Sequence, residues 1–247
     1  MINFCLIKLL FIMKTIIKTL FISFALIIVF NSNISAQKKN KKAFSGIITY
    51  EIKYEGADIE PAQLAQLPTE SILMIKGNKS KEESMMGGAY FTNILDGNEK
   101  SIIVLVEGGG QKIYFKLTKE ELDALDDDEY EPKIKLLDET KVISGYTCKK
   151  AEVTTKDEYD EDVTVAVYYC EGLGSKALNF SDDFKGINGL PMEYQVKREN
   201  WTEVHTVKSV EKKKIKDVAF MVPADAEELT AEQKQQFMKM IKGGDNQ

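Results

Sequence analysis

Apolar and polar residues alternate along most of the chain. In the first such run, Ile48, Tyr50, Ile52 and Tyr54 are separated by Thr, Glu and Lys. A period of two residues is typical of a β-strand that buries one face. Comparable runs predict further strands at residues 71–76, 79–86, 89–95, 101–106, 111–117, 133–137, 146–155, 163–170, 192–197, 202–211 and 219–222.

Short turn signals separate these strands. Gly77 and Asn78, then residues 96–98 (Asp-Gly-Asn), and then residues 108–110 (three glycines) all stand between alternating runs. Glycine and asparagine accept the positive φ angles of tight hairpin turns. The chain from 71 to 117 therefore predicts an antiparallel meander. Residues 170–192 are irregular and rich in glycine.

Helices are few. Residues 63–67 predict a short helix, and Thr118 with Glu121 forms a capping box that opens a second one reaching about residue 125. Thr230 and Gln233 form another capping box. The helix that follows places Phe237, Met240 and Ile241 on one face and ends at Gly243 and Gly244.

These elements predict an α+β domain that is mainly antiparallel β, with a curved sheet of about ten strands and two or three short helices. A sheet of that size curls or closes, and its concave face needs a cover.

The N-terminus has the three parts of a secretory signal. Lys8, Lys14 and Lys18 precede or flank an apolar run at 19–30, and small or polar residues lead to Ala36 and Gln37. The run is shorter than the roughly 20 residues that span a bilayer. We expect cleavage near Ala36-Gln37. An uncleaved anchor and a start at Met13 are the open alternatives.

The expected organisation is a signal peptide at 1–36, a basic flexible leader at 37–44, a β-rich domain at 45–229, and a C-terminal amphipathic helix and tail at 230–247. No cysteine follows the apolar run, so the sequence predicts no lipid anchor there. After cleavage we expect a periplasmic or secreted protein without stable membrane insertion.

The net charge of the chain narrows the classes of partner that the protein is expected to bind. Removing residues 1–36 removes three lysines and no acid, which leaves 30 basic and 39 acidic residues and a net charge of −9. Arg198 is the only arginine. An acidic domain with one arginine argues against nucleic acid as a partner.

Cys148 and Cys170 remain after cleavage, and an even count in an exported chain suggests a disulfide. The hairpin of the strands at 146–155 and 163–170 is centred on Tyr159, with each cysteine eleven residues away. Simple register therefore sets the two cysteines opposite each other. Two free core thiols are the alternative.

The sequence offers no catalytic constellation. His205 is the only histidine and lies in an alternating strand, without a Ser-His-Asp or Cys-His spacing. The acidic runs at 126–129 and 157–162 lack calcium-loop spacing and read as solvated loop tips. The triple glycine lacks the rest of a phosphate loop. We expect no enzyme activity, no cofactor and no metal site. A hydrolase that uses a pair of carboxylates is the open alternative.

The methionines allow two readings. They fill irregular parts of the core, or they line a site for a lipid-like ligand, because methionine adapts to irregular apolar surfaces. The residues concerned are Met85, Met86, Met192, Met221, Met238 and Met240.

Several segments carry a family resemblance. They read GYTCKKA at 145–151, VYYC at 167–170, GLPMEY at 189–194, KSVEKKKI at 208–215 and FMVP at 220–223. This pattern resembles the DUF4412 family of exported bacterial proteins of unknown function, over about residues 45–229. It is more distantly similar to the GLPGLI group, but Met-Glu-Tyr follows Gly-Leu-Pro here.

The order of elements is also similar to the periplasmic lipoprotein-carrier fold of LolA, LolB and RseB, with FMVP at the place of its closing strand. That resemblance implies a half-barrel whose concavity is apolar, and it carries over no binding residue. We expect a non-enzymatic envelope protein that binds a hydrophobic or lipid-like ligand, at residues the sequence does not identify. The alternative is a structural or protein-interaction module that uses sheet edges or acidic loops.

Overall fold

The structure is a computed structural model that describes residues 43–56, 59–124, 131–156, 161–198 and 201–244, with side chains as far as residue 239. The predicted signal peptide, most of the predicted leader and the acidic run at 126–129 lie outside the described residues. So do the side chains of Met240 and Ile241. The predicted domain boundaries stay predictions.

The described residues form one open, curved sheet of twelve strands, so the expected count of about ten was too low. Eleven strands lie close to the predicted runs, and the twelfth has only two residues. The strands are β1 (Ser45–Glu55), β2 (Glu70–Lys76), β3 (Lys79–Met86), β4 (Ala89–Asp96), β5 (Ser101–Gly108), β6 (Gln111–Leu117), β7 (Lys133–Ile143), β8 (Tyr146–Lys156), β9 (Asp162–Cys170), β10 (Leu190–Lys197), β11 (Thr202–Lys212) and β12 (Glu227–Glu228).

Two antiparallel meanders make up the sheet. Strands β2 to β6 pair in sequence order, as the turn signals predict, and so do β7 to β11. Strand β1 lies between the meanders and pairs with β2 on one side and β11 on the other. The short β12 adds to β6 in parallel at one edge, and β7 is the other edge.

Three short helices accompany the sheet: α1 (Pro61–Leu64), α2 (Lys119–Asp123) and α3 (Ala231–Gly244). Both predicted capping boxes are present, since Thr118 and Glu121 exchange hydrogen bonds and so do Thr230 and Gln233. Phe237 of α3 packs on Phe115 with ring centroids 5.0 Å apart. In the part of the chain that the structure describes, no helix combines the length and apolarity needed to cross a bilayer.

The predicted strand at 219–222 is wrong, and with it the assignment of FMVP to a closing strand. Asp217–Phe220 is a 3₁₀ helix, in which Ala219 N–H donates to Lys216 O and Met221 N–H donates to Val218 O. The tight turn buries Phe220 against Ile94 and Ile215. Packing of the Phe220 ring on the sheet is therefore favoured over strand pairing in this segment. The segment resembles a strand only in its apolar composition.

The sheet buries one face along most of its strands and part of the other face. The face that bears Ile48 and Tyr50 carries most of the core and is called the groove face here. Part of the other face is covered by the chain that follows β11, where Ile94, Ile215 and Phe220 pack together.

The β8–β9 hairpin has the register that the sequence predicts. Lys149 lies opposite Tyr169 and Val153 opposite Val165, so the hairpin is centred on position 159. One residue further along the same register, Cys148 faces Cys170, and both thiols are buried in the same core cluster. The structure gives both as free thiols, and the disulfide stays a prediction. Burial, together with the neighbouring Cys170, raises the pKa of Cys148 to about 11.

We predict that protein from an oxidising compartment carries this bridge. Peptide mapping without reduction is expected to recover the Cys148 peptide linked to the Cys170 peptide. Changing both cysteines to alanine is expected to cost about 3 kcal/mol of unfolding free energy, since the bridge closes a loop of about 22 residues. Alkylation of both thiols before any reduction would contradict the prediction, and the same protein mapped after reduction is the control.

Candidate functional site

The irregular segment between β9 and β10, residues 171–189, folds back over the groove face. Asn179 is buried and its side-chain amide donates to the carbonyl oxygens of Ile187 and Gly189, both at 2.9 Å, which holds the segment as a compact loop. Ser175 donates to the side chain of Asn78 in the β2–β3 turn. A Cβ at Gly97 would lie 2.2 Å from the carbonyl oxygen of Ala177, so only glycine permits this contact. We call residues 171–189 the cover segment.

A groove lies between the cover segment and the sheet. Its narrow part has a volume of about 360 Å³ and is walled mainly by aliphatic side chains of the sheet. Those side chains belong to Leu73, Ile75, Leu95, Ile102, Val104 and Leu117. The cover segment contributes Leu178 and Phe184 from the other side. This part of the groove is therefore suited to an apolar chain or ring.

A wider part of the groove, of about 530 Å³, continues toward β8, β9 and the end of β10. Four residues line both parts and so mark the place where they meet: Glu82, Asp182, Phe184 and Tyr194. The wider part also has polar walls that include Lys156, Lys197 and Arg198. The groove is thus apolar at one end and polar at the other.

Aromatic rings form one side of this junction. Tyr194 stacks on His205 with centroids 4.6 Å apart, and it meets Phe184 and Tyr50 edge to face at 5.0 and 6.2 Å. The Tyr50 hydroxyl donates to the carbonyl oxygen of Pro191 at 2.7 Å. The Tyr194 hydroxyl makes no hydrogen bond with any described residue. Burial, and next the charge of Glu82, raise the pKa of Tyr194 well above its ordinary value.

Two carboxyl groups lie at the same junction. Glu82 projects from β3 between Leu73 and Asn93, and Asp182 comes from the cover segment. The N–H of Phe184 donates to Asp182 Oδ1 at 2.8 Å. Burial raises the pKa of Asp182 to about 7, and the charges of Asp183 and Glu82 add to that rise, whereas the hydrogen bond from Phe184 opposes it. The residue as a whole nevertheless keeps an exposed surface. Among the described residues, neither Glu82 nor Asp182 has a salt bridge.

The basic residues nearby have other partners. Lys156 pairs with Asp162 at 3.2 Å, Arg198 pairs with Glu203 at 3.1 Å, and Lys197 donates to Thr202 at 3.0 Å. The two carboxyls at the junction therefore have no paired cation among the described residues, while Lys197 keeps its positive charge at the wider end of the groove.

His205 is half-buried and supports the aromatic wall. Its Nε2 atom lies 3.3 Å from Glu203, and its Nδ1 atom is buried without a hydrogen-bond partner on the described residues. Burial opposes ionisation of Glu203, but contacts with His205, Arg198 and Trp201 lower its pKa to about 2. No serine or cysteine in the described ranges forms a hydrogen bond with the imidazole.

The methionine side chains that the structure describes do not line the groove. Met192 is fully buried in the core, whereas Met85, Met86 and Met221 are exposed. Met85 borders a separate hollow of about 590 Å³ on the opposite face, under α1, with Leu64 and Tyr90. This hollow is lined by a turn and by exposed side chains, and it lies apart from the cover segment.

Groups of three or more His, Cys, Asp or Glu side chains arranged to hold a metal ion do not occur within the described ranges. The triple glycine at 108–110 is the β5–β6 turn, as predicted, with positive φ at Gly109 and Gly110.

The fold and the groove define a class: a large open antiparallel sheet that carries a covered groove on one face. The sequence profile of the family described as "Domain of unknown function (DUF4412)" matches residues 61–226. The chain belongs to this family, as the motifs predict. Among curated proteins, none matches the chain.

One solved structure with similarity to the chain is the crystal structure of LprF from Mycobacterium bovis. It is 10% identical, the match covers 72% of this chain and 90% of that chain, and the TM-score is 0.30. At that TM-score the comparison assigns no fold.

Sequence reasoning did not find Glu82, Asp182, Tyr194 or the cover segment. Two signals pointed to them. Strand β3 reads KSKEESMM, which has no apolar face although it lies inside a meander. The cover segment contains Leu173, Leu178, Phe184 and Ile187, all buried, at spacings that fit neither a helix nor a strand.

We predict that Asp182→Asn flattens the pH dependence of stability. The pKa of Asp182 is near 4 in the unfolded chain and about 7 in the fold, so the native state holds the extra proton between these values. Its contribution to stability therefore falls as pH rises from about 4 to 7. The groups that face it are Glu82, Asp183, Tyr50, Tyr194 and Phe184 N–H. Asparagine keeps the acceptor for Phe184, so the variant is expected to have the higher Tm at pH 8 and an equal Tm at pH 4.

Glu203→Gln provides the opposite control. The native pKa of Glu203 is lowered, so its ionised form stabilises the fold above about pH 4.5 and this contribution is lost as pH falls toward 2. This variant is expected to lose about 1.5–3 kcal/mol at pH 8, the size of a hydrogen bond to a charged group. A steeper or unchanged pH profile for Asp182→Asn would contradict the account of the junction.

Proposed function

We propose that this protein is a non-enzymatic envelope protein that binds a hydrophobic or lipid-like small ligand in the groove beneath the cover segment. The observation that carries the proposal is the narrow part of the groove, a hollow of about 360 Å³ walled by aliphatic side chains of β2, β4, β5 and β6. Small-molecule sites typically measure 300–1,000 Å³, are mostly apolar and have a few convergent polar groups.

The construction of the groove supports binding. Its floor is the regular sheet, which holds Leu73, Leu95 and Val104 in fixed positions. Its roof is the cover segment, held by the two hydrogen bonds of Asn179 and by the contact at Gly97. A site formed by a rigid floor and an anchored roof needs little ordering when a ligand enters, which favours affinity.

The chemistry of the junction supports binding rather than catalysis. The only histidine faces Glu203 and Tyr194, and the aromatic rings at the junction pack against one another. Export, as the N-terminal sequence predicts, would place the domain in the periplasm or outside the cell, where hydrophobic ligands need a carrier in water.

We predict that the protein binds the uncharged apolar dye Nile red and the neutral amphiphile decanol. Val104→Trp fills the narrow part of the groove and is expected to weaken binding by about tenfold or more, about 1.4 kcal/mol. Val142→Trp is the matched control, because Val142 is exposed on β7 far from the groove. Dye fluorescence and native mass spectrometry give the two readouts, and thermal melts check folding.

Absence of binding by both probes would contradict the proposal. Equal binding by the parent chain and the Val104→Trp variant would place the ligand elsewhere.

A second candidate function is protein interaction through the edge strand β7. Leu136 and Val142 are 62% and 68% exposed there, and β7 has no neighbour on its outer side among the described residues. Exposed edges accept strands from other chains, although the charged residues and the bulge of β7 discourage it.

If β7 binds a partner, photo-crosslinking from position 136 in the native envelope is expected to give one discrete adduct. Position 208 is the control, since Lys208 is exposed on the central strand β11. The same adduct pattern at both positions, or none at 136, would rule out this use of the edge.

A further inference from the structure

The polar centre of the groove indicates what kind of headgroup its ligand carries. We propose that the groove selects amphiphiles with a cationic nitrogen, a primary amine or a quaternary ammonium, and seats that group between Glu82, Asp182 and the ring of Tyr194. The proposal rests on the function proposed above and deepens it, since it concerns the same groove.

The first observation that supports the proposal is the position of the two carboxyl groups in the groove. Glu82 and Asp182 come from opposite sides of the groove, one from the sheet and one from the cover segment, and both line its narrow and its wide part. A ligand whose apolar body fills the narrow part therefore brings its end to these two carboxyls.

The second observation that supports the proposal is that neither Glu82 nor Asp182 has a cationic partner among the described residues. Lys156 and Arg198 pair with Asp162 and Glu203, whereas Lys197 donates to the neutral hydroxyl of Thr202 and keeps its positive charge at the wider end of the groove. The two carboxylates repel each other, and the charge of Glu82 is one of the causes that raise the pKa of Asp182. A cationic ligand would relieve that repulsion, whereas an anionic one would increase it.

The third support is the aromatic wall, which is independent of the acids. Tyr194 is held by three ring contacts, with His205, Phe184 and Tyr50, and its hydroxyl has no partner on the described residues. Aromatic rings attract cations over their faces and accommodate quaternary ammonium groups. The free hydroxyl can also accept a hydrogen bond from a protonated amine.

The raised pKa of Asp182 is consistent with binding of a cationic headgroup. The pKa of about 7 means that the carboxyl holds a proton part of the time near neutral pH and gives it up when a cation arrives. The groove can therefore remain stable while it is unliganded and still present two negative charges to a cationic ligand.

The test compares three amphiphiles with one apolar chain and different heads: decylamine, decanol and decanoate. Binding is measured at pH 8 by calorimetry and native mass spectrometry, below the concentrations at which they form micelles. We expect decylamine to bind about tenfold tighter than decanol, and decanoate to bind more weakly than decanol. Glu82→Gln and Asp182→Asn are each expected to bring the amine-to-alcohol affinity ratio close to one while decanol still binds.

Glu83→Gln is the matched control. Glu83 is the next residue along β3 but points to the opposite face, where it pairs with Lys81 at 2.7 Å, so the ratio should not change. Decanol binding without an amine preference, or a preference that survives both groove variants, overturns this inference and leaves the proposed function standing. If none of the three amphiphiles binds, the proposed function itself fails.

Discussion

The pairing of β1 with β11 is the constraint on which the rest of the structure depends. The strands of each meander are neighbours in sequence, and tight turns join them except between β9 and β10, where the cover segment intervenes. The β1–β11 ladder instead joins residues about 150 positions apart, from Gly46 opposite Lys212 to Glu55 opposite Thr202. Without it the chain would form two separate sheets. With it, Glu82 of the first meander and Tyr194 of the second lie on one continuous face.

That continuous face explains the groove. The cover segment leaves the second meander after Cys170, crosses to the first, contacts the turns at Asn78 and Gly97, and returns to β10 at Leu190. Its apolar residues complete the core near the cysteines. Beyond them, over Leu73 and Val104, the roof and the floor separate, and the hollow that they leave has aliphatic walls. One segment thus both seals the core and forms the roof of the proposed binding site.

Local sequence signals predicted what depends on local chemistry. The hairpin turns, both capping boxes and the register that sets Cys148 toward Cys170 all follow from residues close together in the chain. The strand at 219–222 was wrong because Phe220 packs on Ile94, a contact that no local pattern contains. The two-residue β12 was missed for the same reason, since Glu227 and Glu228 extend the sheet only because they lie beside β6.

The groove could not be predicted because its residues meet through long-range pairing and an aperiodic segment. Glu82 lies in a predicted strand and Asp182 in a segment predicted to be irregular, and neither position by itself indicates a site. Only together, facing Tyr194, do they form a polar centre inside an apolar hollow. The central claim is that this hollow holds a ligand, and intermolecular NOEs from the alkyl chain of bound decylamine to protein methyl groups test it most directly. The account predicts contacts to the methyls of Leu73, Val104 and Leu178. Contacts confined to Leu64 and Met85 on the opposite face would contradict it.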